Sequence, residues 1–348
     1  MSTQARLLLV FGGRSSEHEI SVRSAKELLQ AVDTNRFAVE LLGISRSGVM
    51  RRGSSGDSLE AIIEHGELVR SWDELSMDVV FPLLHGPYGE DGTIQGSLEL
   101  GNVPYVGSGV AASAVCMDKI MLKHVARSMG IPVVAGVDLL EGDIDDDLEA
   151  SIARIVEQVG TPCFVKPANQ GSSIGISRVR EQASLKAALL HARTFDTRVV
   201  VERGVDVDEL EVGVLGSGDS DTLVSPPGQI EIPEGQWYDF DNKYVSDVVQ
   251  TRVPAQVDPA LAEELQAHAL SIFRATGCHG LARVDFLVER DTGRCYLNEV
   301  NTMPGFTSIS MYPMLMNATG ISYAELVARL CDLGIERARR RRLLSVTA

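Results

Sequence analysis

Residues 282–301 read ARVDFLVERDTGRCYLNEVN. Both halves have the pattern of strands and flank the turn sequence DTG, which is typical of an antiparallel hairpin. A turn centred on Thr292 places Asp285 directly opposite Glu299, with Cβ atoms roughly 4.5–5.5 Å apart. Two carboxylates at that separation repel each other unless a cation lies between them. The hairpin therefore predicts a site for a divalent ion.

The same register places Arg283 opposite Asn301, on the face that carries the two carboxylates. Two carboxylates and an Asn amide oxygen, completed by phosphate oxygens, suit Mg²⁺. We expect Leu287 and Leu297 on this face as well, which indicates partial burial, where unpaired carboxylates are costly. The competing interpretation is a solvent-facing hairpin whose acidic residues pair with Arg283.

A second candidate site is the segment 166–175, KPANQGSSIG, in which a lysine at a strand end precedes a loop of small residues. Such a loop leaves backbone N–H groups accessible to phosphate oxygens, and Lys166 can neutralise them. The order is not that of a Walker A loop, and Gly-Ser loops are often only turns. Glu202, at the end of an apolar strand, and Lys119, at the start of a helix, are ambiguous alone. Together with the acidic hairpin, these residues predict a nucleotide site.

The N-terminal segment has the pattern of a buried parallel strand that leads into a helix. The run LLLVF over 7–11 ends at Gly12-Gly13, and helical spacing follows from Val22, with Ser21 placed to cap the first turn. The further predicted elements are a polar variable connection over 46–75, a strand over 79–84 that ends at the glycine-rich loop 85–92, a helix over 118–129, a helix that ends at Gly160, and strands over 163–166, 174–179 and 198–203.

Composition restricts the classes of function. With 348 residues, the chain has the length of two or three packed domains. Its net charge of -16 and pI near 4.9 weigh against nucleic-acid or anionic-membrane partners. The five cysteines form no Cys-x-x-Cys pair, which fits reduced thiols in a cytosol. No apolar run approaches the roughly 18 residues of a membrane span, and 7–11 is too short for a signal peptide. We expect a soluble, cytoplasmic protein that acts on small molecules.

With these segments identified, the chain resembles the D-alanine:D-alanine ligases of the ATP-grasp superfamily from Leu7 to about Leu333. The matching segments are GGRSSEHEIS (12–21), HGPYGEDGTIQG (85–96), PYVGSGV (104–110), MDK (117–119), VKPANQGSSIG (165–175), YDFDNKY (238–244), ARVDF (282–286) and NEVNTMPGFTSISMYP (298–313).

This resemblance implies an α/β (α+β) fold with a three-domain ATP-grasp architecture. The N-terminal, Rossmann-like parallel-sheet domain would cover 1–118 and the small central domain 119–205. The C-terminal domain would cover 206–348 and carry a lid loop over 235–251. ATP would bind between the second and third domains.

The activity that the resemblance implies is ligation of two D-alanine molecules through a D-alanyl phosphate, for peptidoglycan precursor synthesis by a homodimer. Two Mg²⁺ ions, or Mn²⁺, would be held by Asp285, Glu299 and Asn301. The residues expected to bind ATP are Lys119, Lys166, Ser172, Ser173, Glu202, Val205, Glu209 and Asn298.

For the substrates, the resemblance implies that Glu17 holds the ammonium of the first D-alanine and is linked to Ser172 and Tyr244. Arg283 and the Gly305 N–H would stabilise the oxyanion of the tetrahedral intermediate. Further expected roles belong to Ser310 and Met311 at the second carboxylate, to Lys243 at the transferred phosphate, and to His85, which would orient the Glu17 and Ser172 network or tune the second amine. A purely structural role is the competing interpretation for His85.

The sequence departs from the family pattern at Gly204, where the family often has an aromatic residue against adenine. Three rival functions remain open. A D-alanine:D-lactate ligase is disfavoured by Tyr244, which in the family accompanies dipeptide synthesis, whereas another ATP-grasp carboxylate-amine ligase stays an alternative. A dinucleotide-binding dehydrogenase lacks a full Gly-x-Gly-x-x-Gly. A non-catalytic ATP sensor would not need Arg283 or Asn301.

Overall fold

The computed structural model describes residues 4–54, 56–231 and 250–344. The predicted lid residues Lys243 and Tyr244, and nearly all of the lid segment 235–251, lie outside these described residues. Within them the chain is a mixed α/β protein with three sheets. None of the helices in the described ranges combines the length and apolar character needed to span a membrane.

The first sheet has the order β4-β3-β2-β1-β5. Its strands are β1 (Ala5–Gly12), β2 (Phe37–Ile44), β3 (Met50–Gly53), β4 (Glu67–Val69) and β5 (Val79–Pro82). The helices of this region are α1 (His18–Ala31), α2 (Leu59–His65), α3 (Thr93–Leu100) and α4 (Val110–Met117), with a 3₁₀ turn at Trp72–Glu74. The predicted parallel arrangement is confirmed, because β1 pairs parallel with both β2 and β5.

Two predictions in this region are wrong. Helix α1 begins at His18, not at Val22, so Ser21 does not cap it; the Ser21 hydroxyl instead accepts the Gly12 N–H at 2.8 Å and donates to the Leu83 carbonyl. The segment 46–75 is not a mere connection, since it forms β3, α2 and β4 and buries Ile62 and Trp72. Its elements are too short to show a sequence period.

The second sheet is antiparallel, with the order β6-β9-β7-β8. Its strands are β6 (Gly136–Leu139), β7 (Cys163–Pro167), β8 (Ser177–Val179) and β9 (Val199–Arg203). The helices around it are α5 (Lys119–Ser128), α6 (Glu141–Asp145), α7 (Leu148–Gln158) and α8 (Leu185–Arg193), with a 3₁₀ turn at Gln182–Ser184. The strand predicted over 174–179 is confirmed only for its last three residues, because 174–176 belong to the preceding loop.

The third sheet has the order β13-β12-β10-β14-β15, with β11 paired to β10. Its strands are β10 (Val207–Gly216), β11 (Leu223–Val224), β12 (Gly228–Glu231), β13 (Gln250–Arg252), β14 (Gly280–Glu289) and β15 (Cys295–Asn301). The remaining helices are α9 (Pro259–Thr276), α10 (Met311–Ala318) and α11 (Tyr323–Arg342).

One hydrophobic core joins the first sheet to the C-terminal helices. Phe81 of β5 packs against Phe306 with ring centroids 5.4 Å apart, and Phe306 also stacks near Tyr312 of α10. This core holds the segment between β15 and α10 against the carboxyl end of β5, where His85 begins the glycine-rich loop. Residues distant in sequence therefore meet at the carboxyl end of β5.

The domain boundaries at 118 and 205 stay a prediction.

Candidate active site

The acidic hairpin, β14 with β15, has the predicted register at the end away from its turn. Asp285 pairs with Glu299 and Arg283 pairs with Asn301, which confirms that pairing. Between Asp285 and Phe286 the register shifts, and Phe286 then pairs with Leu297. A β-bulge of this kind accommodates one extra residue, here Asn298.

The bulge makes one prediction wrong. Leu297 does not share the carboxylate face, because it is fully buried with Phe286 in the core on the opposite side of the sheet. The extra residue reverses the alternation of side chains along β15. Leu287, by contrast, is half-buried and lies two residues after Asp285 on β14, so it shares the carboxylate face.

Arg283 neutralises the buried end of the hairpin. Its guanidinium donates two hydrogen bonds to Asp285, from Nε at 2.8 Å and from Nη2 at 2.7 Å. Its Nε also lies 2.9 Å from a carboxylate oxygen of Glu211. Asn301 Nδ2 donates to Asp285 at 2.9 Å. Such bidentate, charge-assisted contacts fix the guanidinium in place as well as balancing its charge.

Glu211 is a residue that the sequence analysis missed. It lies on β10 directly opposite Asp285 and is buried. The alternation of Glu209 and Glu211 places both carboxylates on one face of a strand, but no strand was predicted from the sequence there. Only Glu209 was expected in the site, and its partner across the sheet is Leu287.

The predicted nucleotide residues Lys119, Lys166 and Glu202 lie in one buried cluster with Lys123. Lys166 Nζ is 2.6 Å from Glu202, and Lys123 contacts the same carboxylate. Lys119 Nζ donates to the Gln170 carbonyl at 2.5 Å and lies 4.0 Å from Glu299, so it joins this cluster to the acidic hairpin.

Lys123 was also missed, although it follows Lys119 by one helical turn on α5 and therefore shares its face. Burial, reinforced by the neighbouring Lys166 and Lys119 ammonium groups, holds the pKa of Lys123 well below its usual range. The Asp118 side chain caps α5 by accepting the N–H groups of Ile120 and Met121, which fixes the helix start that carries both lysines.

Glu17 lies in a pocket formed with Gly86, Gly171 and Ser172, which we call the Glu17 pocket. The Ser172 hydroxyl donates to Glu17 Oε1, whereas the buried Oε2 has no hydrogen-bond partner within the described part of the chain. A Cβ at Gly171 would lie 2.9 Å from this Oε2, and one at Gly86 would collide with it. Gly86 also has a φ of +70°, which favours glycine. The predicted link between Glu17 and Ser172 is confirmed.

His85 is buried and makes no hydrogen bond to Glu17 or Ser172. Its Nδ1 lies 3.0 Å from the Met303 carbonyl and its Nε2 lies 3.3 Å from Ser24 Oγ. Burial lowers the pKa of His85, opposed by the nearby Glu17 carboxylate. The imidazole therefore connects α1 to the segment that follows β15.

Glu90, to which the sequence analysis assigns no role, connects the same two segments. Its carboxyl group accepts the Gly86 N–H at 2.7 Å and the Met303 N–H at 3.1 Å. Burial raises the pKa of Glu90 to about 8, with a further rise from Glu17. Its position within the loop 85–92 was visible in the sequence, but its partner 213 residues away was not.

The segment after β15 brings Gly305, Ser310 and Met311 together. Ser310 precedes α10, and its hydroxyl lies 2.7 Å from Thr307 Oγ1 and accepts the Thr307 N–H at 3.1 Å. Met311 is the first residue of α10, so its N–H belongs to the N-terminal turn, where anions are favoured. A Cβ at Gly305 would lie 3.2 Å from Ser310 Oγ.

The remaining nucleotide candidates, Ser173, Val205 and Asn298, lie on three different segments. Ser173 follows Ser172 in a left-handed conformation with a φ of +59°, Val205 lies between β9 and β10, and Asn298 is half-buried at the bulge. Gly204 is packed against Pro162, since its N–H donates to that carbonyl at 2.7 Å and a Cβ would lie 2.8 Å from the oxygen. The backbone contact explains why no aromatic residue fits there. The functional roles of all these residues stay predictions.

Comparison with known proteins identifies the family. The family model described as "D-ala D-ala ligase N-terminus" matches residues 6–108, and "D-ala D-ala ligase C-terminus" matches residues 125–332. The D-alanine--D-alanine ligase of Acetivibrio thermocellus is 40% identical over 97% of this chain and 97% of its own.

Two solved structures are similar throughout. The D-alanine-D-alanine ligase from Coxiella burnetii has a TM-score of 0.86 at 31% identity and covers 97% of this chain and 96% of its own. The VanG D-Ala:D-Ser ligase from Enterococcus faecalis has a TM-score of 0.83 at 34% identity and covers 95% and 100%. Because the family models span most of the sequence and the relatives cover nearly all of it, the chain belongs to the D-ala D-ala ligase family.

Proposed function

We propose that this chain uses ATP to join two D-alanine molecules into D-alanyl-D-alanine, with D-alanyl phosphate as the intermediate and ADP and phosphate as the other products. The observation that carries the proposal is the acidic hairpin facing Lys119, with Asp285 opposite Glu299. Opposed carboxylates beside a buried lysine suit a triphosphate with its divalent ions, and family membership supports ATP as the co-substrate.

The nucleotide would lie between the second and third sheets. Lys119 and Lys166 would neutralise its phosphates, and the backbone N–H groups of Ser172 and Ser173 would contact phosphate oxygens. Glu202 would exchange its present lysine contacts for adenine or ribose hydrogen bonds. Val205, Glu209 and Asn298 would complete the nucleotide site.

The oxygens of Asp285, Glu299 and Asn301 are the hard donors that Mg²⁺ or Mn²⁺ prefers, so the residue set fits two such ions. Bound ions would neutralise the triphosphate and favour attack on its γ-phosphate. Asn301 now presents its Nδ2 to Asp285. Rotation of the amide would turn its oxygen toward a cation.

In the first step, the carboxylate of one D-alanine attacks the γ-phosphorus and displaces ADP. Glu17 would hold the substrate ammonium, because Oε2 is a buried acceptor without a hydrogen-bond partner in the described chain. Lys243 would stabilise the transferred phosphoryl group, and Tyr244, on the lid 235–251, would exclude water that hydrolyses an acyl phosphate.

In the second step, the free amine of another D-alanine attacks the acyl carbon, and phosphate leaves. Its carboxylate would bind at the N-terminus of α10, near Ser310 and the Met311 N–H. Arg283 and the Gly305 N–H would stabilise the oxyanion. His85, neutral because its pKa is lowered, would position the Met303 segment, and it remains the candidate for tuning the second amine.

The test is an assay of purified protein with ATP, Mg²⁺ and D-alanine, in which ADP and dipeptide are measured together. We expect one ADP for each dipeptide, and hydroxylamine should trap the acyl phosphate as a hydroxamate. ADP formation without dipeptide, or dipeptide formation without ADP, would contradict the proposal.

The rival function is a ligase that uses a different second substrate. The 34% identity to the VanG D-Ala:D-Ser ligase supports D-serine as a candidate, and D-lactate would give an ester. Tyr244 favours the amide product. Competition of D-alanine against D-serine and D-lactate at equal concentration decides among the three, and we expect the dipeptide of D-alanine to dominate.

The cellular setting belongs to the same proposal. We infer that the dipeptide supplies peptidoglycan precursor synthesis in the cytoplasm, that the protein is a homodimer, and that its domains cover 1–118, 119–205 and 206–348. All five cysteines are free and buried, which is compatible with a reducing compartment. Light scattering during size-exclusion chromatography tests the dimer, and limited proteolysis tests the boundaries.

A further inference from the structure

Three side chains that can bind a metal ion lie together, and none of them is among the residues proposed for the ligase reaction. Glu264 and His268 are four residues apart on α9 and share one face, and Cys295 begins β15. Cys295 Sγ lies 3.2 Å from Glu264 Oε1, and His268 Nε2 lies 3.5 Å from the same oxygen. Their ligand atoms all lie within 4.8 Å of one another.

These separations match those around a tetrahedral ion. Zn²⁺ binds sulfur at about 2.3 Å and nitrogen or oxygen at about 2.0–2.2 Å, so tetrahedral ligand atoms lie roughly 3.3–3.8 Å apart. The distances from Glu264 Oε1 to Cys295 Sγ and to His268 Nε2 are near that range, and the distance between the sulfur and the imidazole is at most 4.8 Å. Thiolate, imidazole and carboxylate together favour Zn²⁺ over Mg²⁺.

The cluster and the carboxylates of the acidic hairpin lie on opposite sides of the third sheet. Cys295 packs in the core that contains Phe286 and Leu297, the side turned away from Asp285. Burial raises the pKa of Cys295 to about 12, so the thiol is protonated and donates to Glu264 until a metal replaces the proton. Glu264 is exposed, which leaves solvent access for an ion and for a water as fourth ligand.

We propose that Glu264, His268 and Cys295 bind one Zn²⁺ ion at a site behind the third sheet, separate from the ligase centre. Binding forms a zinc–sulfur bond and releases the thiol proton to solvent. The ion would tie α9 to the start of β15, the strand whose far end carries Glu299 and Asn301. Its effect is therefore to stabilise the strand on which the ligase centre is built.

The experiment uses the full-length protein, first with Co²⁺ as a spectroscopic substitute and then with Zn²⁺ as competitor, in excess Mg²⁺. We expect a near-ultraviolet thiolate-to-Co²⁺ charge-transfer band that stoichiometric Zn²⁺ removes, and a rise in melting temperature with Zn²⁺. Cys295→Ser should abolish the band, and His268→Gln should weaken Zn²⁺ binding by roughly 10- to 100-fold or more, since losing even a group that supports a metal ligand costs that much.

Matched controls separate this site from other metal binding. Glu263→Gln changes the exposed neighbour of Glu264 and should bind Zn²⁺ as tightly as the parent protein does. Glu264→Gln removes a proposed ligand and should bind Zn²⁺ more weakly. Glu299→Gln should keep the thiolate band, because carboxylates at the hairpin give none. If the band is absent from the parent protein, or survives both Cys295→Ser and His268→Gln, the proposal is overturned, and the trio is only a helix ion pair with a thiol hydrogen bond.

Discussion

The acidic hairpin and the Glu17 pocket both bury carboxylates, but they satisfy them differently. Asp285 receives two hydrogen bonds from Arg283 and one from Asn301. Glu17 receives one from Ser172, and its Oε2 has no hydrogen-bond partner within the described residues. A buried acceptor without a donor costs about 1–3 kcal/mol. Asp285 is therefore hydrogen-bonded before ligands arrive, whereas the Glu17 pocket is completed only when a donor binds.

The two regions also differ in how they are assembled. The hairpin carboxylates are brought together by one turn of the chain, while the Glu17 pocket combines the residue that precedes α1, the loop after β5 and the loop after β7. Glu90 joins the two regions, because it accepts N–H groups from Gly86 and from Met303. A displacement of one region should therefore displace the other through the Glu90 hydrogen bonds.

The largest expected effect tests the hairpin. Glu299→Gln removes a charge that would hold the cations, so turnover should fall by on the order of 10³-fold or more, in the range of other phosphoryl-transfer centres. ADP release measures turnover, and the melting temperature should change little. Asp291→Asn, at the exposed hairpin turn, is the matched control and should leave both values unchanged. Near-normal activity of Glu299→Gln would remove the metal role.

The next effect tests the Glu17 pocket. Glu17→Gln keeps the shape but loses a charge-assisted bond of about 1.5–3 kcal/mol, so kcat/KM for D-alanine should fall roughly 10- to 100-fold. ATP affinity should stay the same, which initial rates and nucleotide titration would measure. Glu19→Gln, an exposed neighbour paired with Arg46, is the control. An equal loss of ATP affinity would show that Glu17 does not act on the amino acid.

A smaller effect tests the space beside Glu17. Gly86→Ala places a methyl group against Oε2 at a positive φ, so we expect about 10-fold weaker D-alanine binding and a loss of stability of about 1 kcal/mol or more. Substrate titration and thermal melting check the two parts. Gly96→Ala on α3 meets no atom within 4 Å and should be neutral or stabilising. If both variants bind D-alanine and melt alike, the space between Gly86 and Glu17 Oε2 is not as tight as the structure shows.

The smallest effect on activity is expected for Glu90, whose contribution is to the pH dependence of stability. Its pKa rises from 4.5 to about 8 in the folded protein, so the folded state holds a proton that the unfolded state releases. The free energy of unfolding should therefore decrease between about pH 4.5 and pH 8, by at most about 1.4 kcal/mol per pH unit. Glu17 and Arg283 are the charged neighbours that face it.

Thermal melting across that pH range measures this contribution. Glu90→Gln loses one acceptor, so its melting temperature should be lower at acid pH, but the contribution of this residue to the slope should vanish. A slope identical to that of the parent would mean that Glu90 is ionised throughout.

The sequence alone determined the features that depend on neighbouring residues in the chain. The buried run over 7–11, the helix predicted over 118–129 and the pairing of Asp285 with Glu299 all follow from side-chain periodicity and a tight turn. Membership of the family was visible for the same reason, since its motifs are continuous segments. The bulge at Asn298 escaped prediction, because no residue type there requires one extra residue.

Which distant segments meet depends on the packing of the whole chain. Glu90 reaching Met303, Glu211 facing Asp285 and Lys123 touching Glu202 depend on the packing of separate sheets and helices. The cluster of Glu264 and Cys295 on the opposite face is of the same kind. Local sequence fixes the face on which a side chain lies, but the partner across that face is chosen by the packing of the whole core, which no local pattern records.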